Sequence, residues 1–222
     1  MGEKKLTELL MAKFPDWLVA YDQYCPFTRQ GQLEYHVKTI QRRQALGVAE
    51  TALGDQVFLE SLYRTLQAWR IGARASKLRP FEAYVDALRR KKAEIIELDG
   101  IAIDQIDLDI LAVSRKAARL IQSLDIVENR VRVVPGSKAL HHLLPELVVP
   151  MDREYTQWFF DWPNPRLQYN PEECFVEAFH AFAQIARACD PVQYVGAGWY
   201  TSRTKVIDNA IVGLSCWAKH QV

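Results

Sequence analysis

The chain is expected to be all-α, a globular array of about ten short helices. Three observations support the helical class. Apolar residues recur at steps of three, four and seven through most of the 222 residues. Proline and glycine punctuate these runs often enough to favour a globular array over a long-helix bundle. The one apolar-polar alternation, Ile101 to Ile106, has no partner of similar character and reads as a loop.

In chain order, Leu6, Leu9, Leu10 and Phe14, then Trp17, Leu18 and Tyr21, mark two helices over residues 4–24. They are separated because Pro15 belongs at a helix start. Residues 30–46 form a polar third helix, and Gly47 and Gly54 punctuate the stretch after it. Asp55 stands at an N-cap before Phe58, Leu59, Leu62, Leu66 and Trp69, with Gly72 as the stop. Pro80 opens a helix with Phe81, Tyr84, Val85 and Leu88 inward, continuing through the basic run 89–92 to Leu98. Residues 108–123 are helical, with Ile110, Val113, Ala117, Leu120 and Ile121 inward. Residues 172–189 show the strongest amphipathic pattern, after a break at Trp162-Pro163-Asn164-Pro165. Residues 204–218 are apolar nearly all round, which predicts a buried helix.

Composition bounds the function only loosely. At 49% hydrophobic and 25% charged the chain has a globular balance. No apolar run reaches membrane-spanning length, and Met1 to Leu6 lacks a signal-type apolar region. A cytoplasmic location is therefore expected, with Cys25, Cys174, Cys189 and Cys216 reduced. The net charge of +1 hides an asymmetry. Residues 70–92 carry eight bases (Arg70, Arg74, Lys77, Arg79, Arg89, Arg90, Lys91, Lys92) against two acids. Residues 93–109 carry six acids and no base. The first window could hold phosphates or could be an ordinary solvated helix.

The most informative stretch is Val133 to Phe160. Pro135-Gly136 reads as a tight turn, Ser137 leads a short helix through His141 and His142, and Pro145 ends it. Pro150 precedes Asp152, which stands as an N-cap before Arg153, Glu154 and Tyr155. A carboxylate thus follows Lys138 by fourteen residues at a fixed helix start. It could serve chemistry or simply cap the helix. Lys138 could contact a phosphate or lie on the surface. Lys205 and Asp208, with Asn209, form the polar start of the last helix; they could pair with each other or face a cleft with Asp152.

Pro135-Gly136-Ser137-Lys138 followed by Pro150-Met151-Asp152-Arg153-Glu154-Tyr155-Thr156 resembles the helix-hairpin-helix DNA glycosylase superfamily over some 28 residues. There, a Pro-Gly hairpin binds the DNA backbone and an aspartate at a helix start serves catalysis. This chain has one hairpin glycine where the family usually has two, and the spacing to the aspartate is about a helical turn shorter. The resemblance implies a single globular unit, 1–222, in two lobes: residues 26–150 forming a central lobe that holds a helix-hairpin-helix element and residues 1–25 plus 151–222 a terminal lobe, with a cleft between the lobes and Asp152 at its rim. It implies hydrolysis of an N-glycosidic bond of a modified base in duplex DNA. Asp152 and Lys138 would be catalytic, with Lys205 and Asp208 beside them. Gly136, Ser137, Lys138, Arg90, Lys91, Arg74 and Lys77 would meet the DNA. The alternative is a non-catalytic α-helical DNA- or protein-binding module; a weaker third reading is a helical enzyme on a small metabolite. Trp69, Trp158, Tyr155 and Tyr200 could stack on a flipped base.

No cofactor or metal is expected. The four-cysteine iron–sulfur loop of some family members is absent, and Glu177 with His180 is a lone E-x-x-H. His141 and His142, about 100° apart on a helix, are not expected to reach one ion from the same face.

Overall fold

Capping carboxylates and prolines set the helix boundaries. The computed structural model describes residues 3–71, 76–163 and 165–221. Among them are thirteen α-helices, one 3-10 turn and no strand. The four cysteines are free thiols. No helix among the described residues is long and apolar enough to cross a membrane.

Helices α1 (Glu3–Ala12) and α2 (Phe14–Tyr24) are split ahead of Pro15, as expected. Helix α3 (Gln32–Ala45) starts after Gly31, whose φ of 81° suits glycine. Helix α4 (Ala49–Gly54) fills a stretch expected only to be punctuated by glycines. Its first N–H, on Ala49, donates to Asp99 Oδ2 at 2.6 Å, so its N-terminal partner comes from far along the chain. Helix α5 (Gln56–Ala68) is capped by Asp55, whose Oδ1 accepts from Phe58 N–H at 2.7 Å. Phe58, Leu59, Leu62 and Leu66 are fully buried. Each such side chain stabilises the fold by about 1.5–3 kcal/mol relative to exposure.

Helix α6 (Phe81–Arg90) does not run on to Leu98: it breaks at Lys91 (φ −103°, ψ 14°), and α7 (Lys92–Ile96) is a separate turn. Helix α8 (Ile110–Ser123) is capped by Asp109. Helix α9 (Val133–Leu143) corrects a second expectation. Pro135 and Gly136 lie inside its first turn and make no turn of their own. A proline there loses nothing, because an N–H in the first turn has no helical partner. Gly136 is needed for packing: a Cβ there would lie 2.8 Å from Cγ2 of Ile121 on α8.

Helix α10 (Arg153–Phe159) starts at Asp152, and α11 (Arg166–Tyr169) is a single turn that the prolines around it obscured. Helix α12 (Pro171–Cys189) packs against α8. Helix α13 (Arg203–His220) is buried through most of its length and packs most extensively on α2. Arg43, itself buried, ties the middle of the chain together. It donates to Leu143 O on α9 (2.8 Å), to Gly47 O (2.8 Å) and to Asp99 Oδ1 (2.6 Å). These bonds hold α3 against the C-terminal end of α9, from which the site is built.

Candidate functional site

Three helices converge on a cavity of about 680 Å³. Helix α9 brings Lys138, the start of α10 brings Asp152, and the first turns of α13 bring Lys205 and Asp208. All four residues singled out as catalytic candidates line this one cavity. Phe27, Trp69, Tyr155 and Trp199 supply its aromatic walls, and Arg29, Arg70 and Arg153 also line it.

Asp152 is held at three points. Its Oδ1 accepts from Glu154 N–H (2.9 Å), its Oδ2 accepts from Lys138 Nζ (3.1 Å), and its own N–H donates to Thr156 Oγ1 (3.0 Å). Burial opposes ionisation here, but the Lys138 charge and the Glu154 and Tyr155 N–H groups outweigh it. The carboxyl therefore stays below the usual range and is ionised at neutral pH. About a quarter of the side chain, 28%, remains exposed to the cavity side. Lys138 is nearly buried, and its Nζ also lies 5.5 Å from the Trp69 ring centroid.

Ser137 is fully buried. Its hydroxyl donates to Val134 O (3.0 Å) and accepts from Met151 N–H (3.1 Å), which fixes the segment entering Asp152. The expected phosphate contacts of Gly136 and Ser137 are thereby corrected. Both residues are interior, Gly136 against α8 and Ser137 against the Asp152 segment, where a duplex backbone does not reach.

Lys205 is 1% exposed. Its Nζ donates to Asp208 Oδ2 (2.6 Å) and Asn209 Oδ1 (2.5 Å). The rings of Trp199, Tyr21 and Phe27 surround it at 5.1, 5.6 and 5.8 Å. Burial pushes the Asp208 carboxyl up, against the pull of Lys205. Pairing and cavity-lining, which looked like alternatives, both occur. We expect Asp208→Ala to cost about 3–5 kcal/mol, because it strands a buried ammonium. Urea denaturation should show it, and Lys205→Met with Asp208→Leu should recover much of the loss. An unchanged midpoint for Asp208→Ala would mean the pair is not structurally coupled.

The basic window is less open than its composition suggests. Lys77 pairs with Glu128 (3.0 Å), Arg79 with Asp125 (2.8 Å), Lys91 with Glu94 (3.0 Å) and Lys92 with Glu50 (2.8 Å). Arg90 is exposed. Lys77, Arg90 and Lys91 do not line the cavity. Arg74 lies outside the described residues. Of the aromatic candidates, Trp69 and Tyr155 line the cavity whereas Trp158 and Tyr200 do not. Phe27 and Trp199, which do, sit in stretches without helical period, so no sequence pattern pointed to them.

Below the aromatic wall lie His36, His141 and His142, all fully buried. The expectation that His141 and His142 diverge is corrected. Their ring centroids are 5.0 Å apart and perpendicular, because side-chain torsions turn both toward His36 on α3. One ring nitrogen from each histidine lies within 4.8 Å of the others. Burial holds all three below the ordinary histidine range, with His142 lowered to about 4. Glu177, the other metal-ligand candidate, is instead engaged by Trp162 Nε1 (2.8 Å) and by Arg166. Comparison with family models, curated proteins and solved structures finds no match.

Proposed function

We propose that the chain hydrolyses the N-glycosidic bond of a nucleotide whose base enters the aromatic cavity, presented as a flipped base by duplex DNA. One observation carries this reading: the ionised Asp152 carboxylate opens on the same cavity as the rings of Phe27, Trp69 and Trp199. Aromatic faces accept a flat base by stacking. A fixed carboxylate stabilises the positive charge that develops on the sugar as the base leaves. Water then bonds to C1′, the electrons of the C1′–N bond leave with the base, and the proton released by the water balances the base. Asp208 is the second carboxyl in reach of this exchange. Lys138 Nζ is engaged by Asp152, which favours hydrolysis over attack by the lysine.

The reading treats residues 26–150 as one lobe and residues 1–25 with 151–222 as the other, meeting at this cavity. Phe27, Trp69 and Lys138 come from the first, and Asp152, Trp199 and Lys205 from the second. The Pro135-Gly136-Ser137-Lys138 hairpin has no part in this reading, because those residues lie within α9. Arg29, Arg70 and Arg153 would meet the flanking phosphates. Affinity should therefore fall steeply between low and physiological salt, since each neutralised phosphate releases counterions. A gel-shift series at increasing salt tests this. No complex at low salt would remove duplex DNA as the substrate. A screen for abasic-site formation on duplexes carrying alkylated, oxidised, deaminated and hypermodified bases tests the chemistry.

The non-catalytic binding module has its own support. The Lys138–Asp152 pair partly neutralises the carboxylate that the chemistry needs. Salt-sensitive DNA binding without base release from any duplex would favour that reading.

A further inference from the structure

Three histidines that the glycosidic reading does not use are arranged as ligands. His142 Nδ1 lies 2.8 Å from Lys138 O and His141 Nδ1 lies 3.0 Å from Val148 O. A carbonyl only accepts, so both Nδ1 atoms carry the proton and both Nε2 atoms present a bare lone pair. His141 Nε2 is buried and has no hydrogen-bond partner among the described residues. His36 Nε2 lies 2.8 Å from Thr201 Oγ1 and its Nδ1 3.0 Å from His142 Nε2. In the ion-free protein His36 Nδ1–H donates to the His142 Nε2 lone pair and Thr201 Oγ1–H donates to His36 Nε2; an ion takes the place of that Nδ1 proton, the proton moves to Nε2, the Thr201 hydroxyl turns to accept it, and His36 then offers the third lone pair.

Each imidazole then has the outer partner that fixes the tautomer of a metal-ligating histidine, two of them backbone carbonyls. The spacing also fits. A tetrahedral ion bound at about 2.0–2.1 Å from each nitrogen places ring centroids about 5.2 Å apart. The three centroid separations are 5.0, 5.1 and 5.8 Å. The His36–His142 nitrogens need to part only slightly, from 3.0 Å to about 3.3 Å, to admit such an ion. Arg43 holds α3 and the end of α9 together, so the donors are positioned before any ion arrives.

We propose that His36, His141 and His142 form a buried site for one divalent ion of the zinc class. Neutral imidazoles suit zinc, cobalt, nickel or copper, and not magnesium or calcium, which prefer oxygen. Trp69 and Trp199 pack on His36 at 5.1 and 5.4 Å and close the site from the cavity. An ion held there braces α3 against α9, and the site does not depend on the glycosidic reading.

The test uses the full chain without a histidine tag, unfolded in guanidinium with chelator and refolded with Co²⁺ or with chelator alone. The expected result is one Co²⁺ per chain surviving desalting, with the visible ligand-field absorption of low-coordinate cobalt. X-ray absorption should count three imidazoles, and the unfolding midpoint should exceed that of chelator-refolded protein. His141→Gln and His36→Gln should each weaken Co²⁺ affinity by about a hundred-fold or more, while His180→Gln, outside the cluster, should not. Should the cluster variants fail to fold, the imidazole count on the unaltered chain still decides. Absence of stoichiometric binding, thiolate or oxygen ligation in place of imidazole, or undiminished affinity in both cluster variants would each overturn the site.

Discussion

On the proposed glycosidic reading, Asp152→Asn is expected to lower the rate of base release by about a hundred-fold or more, the effect of removing a preorganised charge from the reacting centre. The amide keeps the cap, because its oxygen can still accept from Glu154 N–H as Oδ1 does at 2.9 Å. By capping alone the substitution would be neutral to stability. The structure adds a cost. Oδ2 also receives Lys138 Nζ, and an Asn there takes from that nearly buried ammonium its carboxylate hydrogen bond, leaving the Trp69 face and the more distant Asp208. With Asp152 still partly solvated, the loss is about 1–2 kcal/mol. Circular dichroism and a melting curve should show a folded, slightly less stable protein, and the abasic-site assay should show the rate loss. DNA affinity should hold or tighten, since a negative charge near the phosphates is gone. A variant as active as the parent would remove Asp152 from the mechanism.

Gly213→Ala is expected to be among the most damaging single-methyl additions in the chain. A Cβ at position 213 would lie 2.0 Å from Trp17 O and 2.8 Å from Tyr21 N, both backbone atoms of α2. No rotamer change relieves a clash with a helix backbone, so α13 and α2 must separate and lose the packing between them. The cost should reach about 3 kcal/mol or more, at the upper end for overpacking. Gly54→Ala is the control. Gly54 ends α4 with no neighbouring atom within 4 Å of the added methyl, and there alanine should stabilise by about 0.4–1 kcal/mol. Urea midpoints moving in opposite directions would establish the close approach of the two helices; equal midpoints would refute it. Because α13 carries Lys205 and Asp208, a folded remnant of Gly213→Ala should also lose ligand affinity.

The sequence by itself determined the helical class and most helix starts. Asp55 and Asp152 cap from within their own segments, and a cap needs only local geometry. The burial of α13 was also legible, because an all-round apolar helix has no face to give to water. Boundaries set by distant partners were not legible. Helix α4 receives its N-terminal acceptor from Asp99, and the first turn of α9 absorbs Pro135-Gly136 because α8 packs so closely there. For the site, residue type and helix position marked Asp152, Lys205 and Asp208, and the family resemblance drew attention to Lys138 and gave Asp152 more than a capping part. That the four share one cavity was decided by tertiary structure alone, since α9, α10 and α13 meet only after folding. The same holds for the loop aromatics Phe27 and Trp199, which no periodicity marks. It holds also for the histidines: His141 and His142 are neighbours on α9, and only the docking of α3 sets His36 beside both.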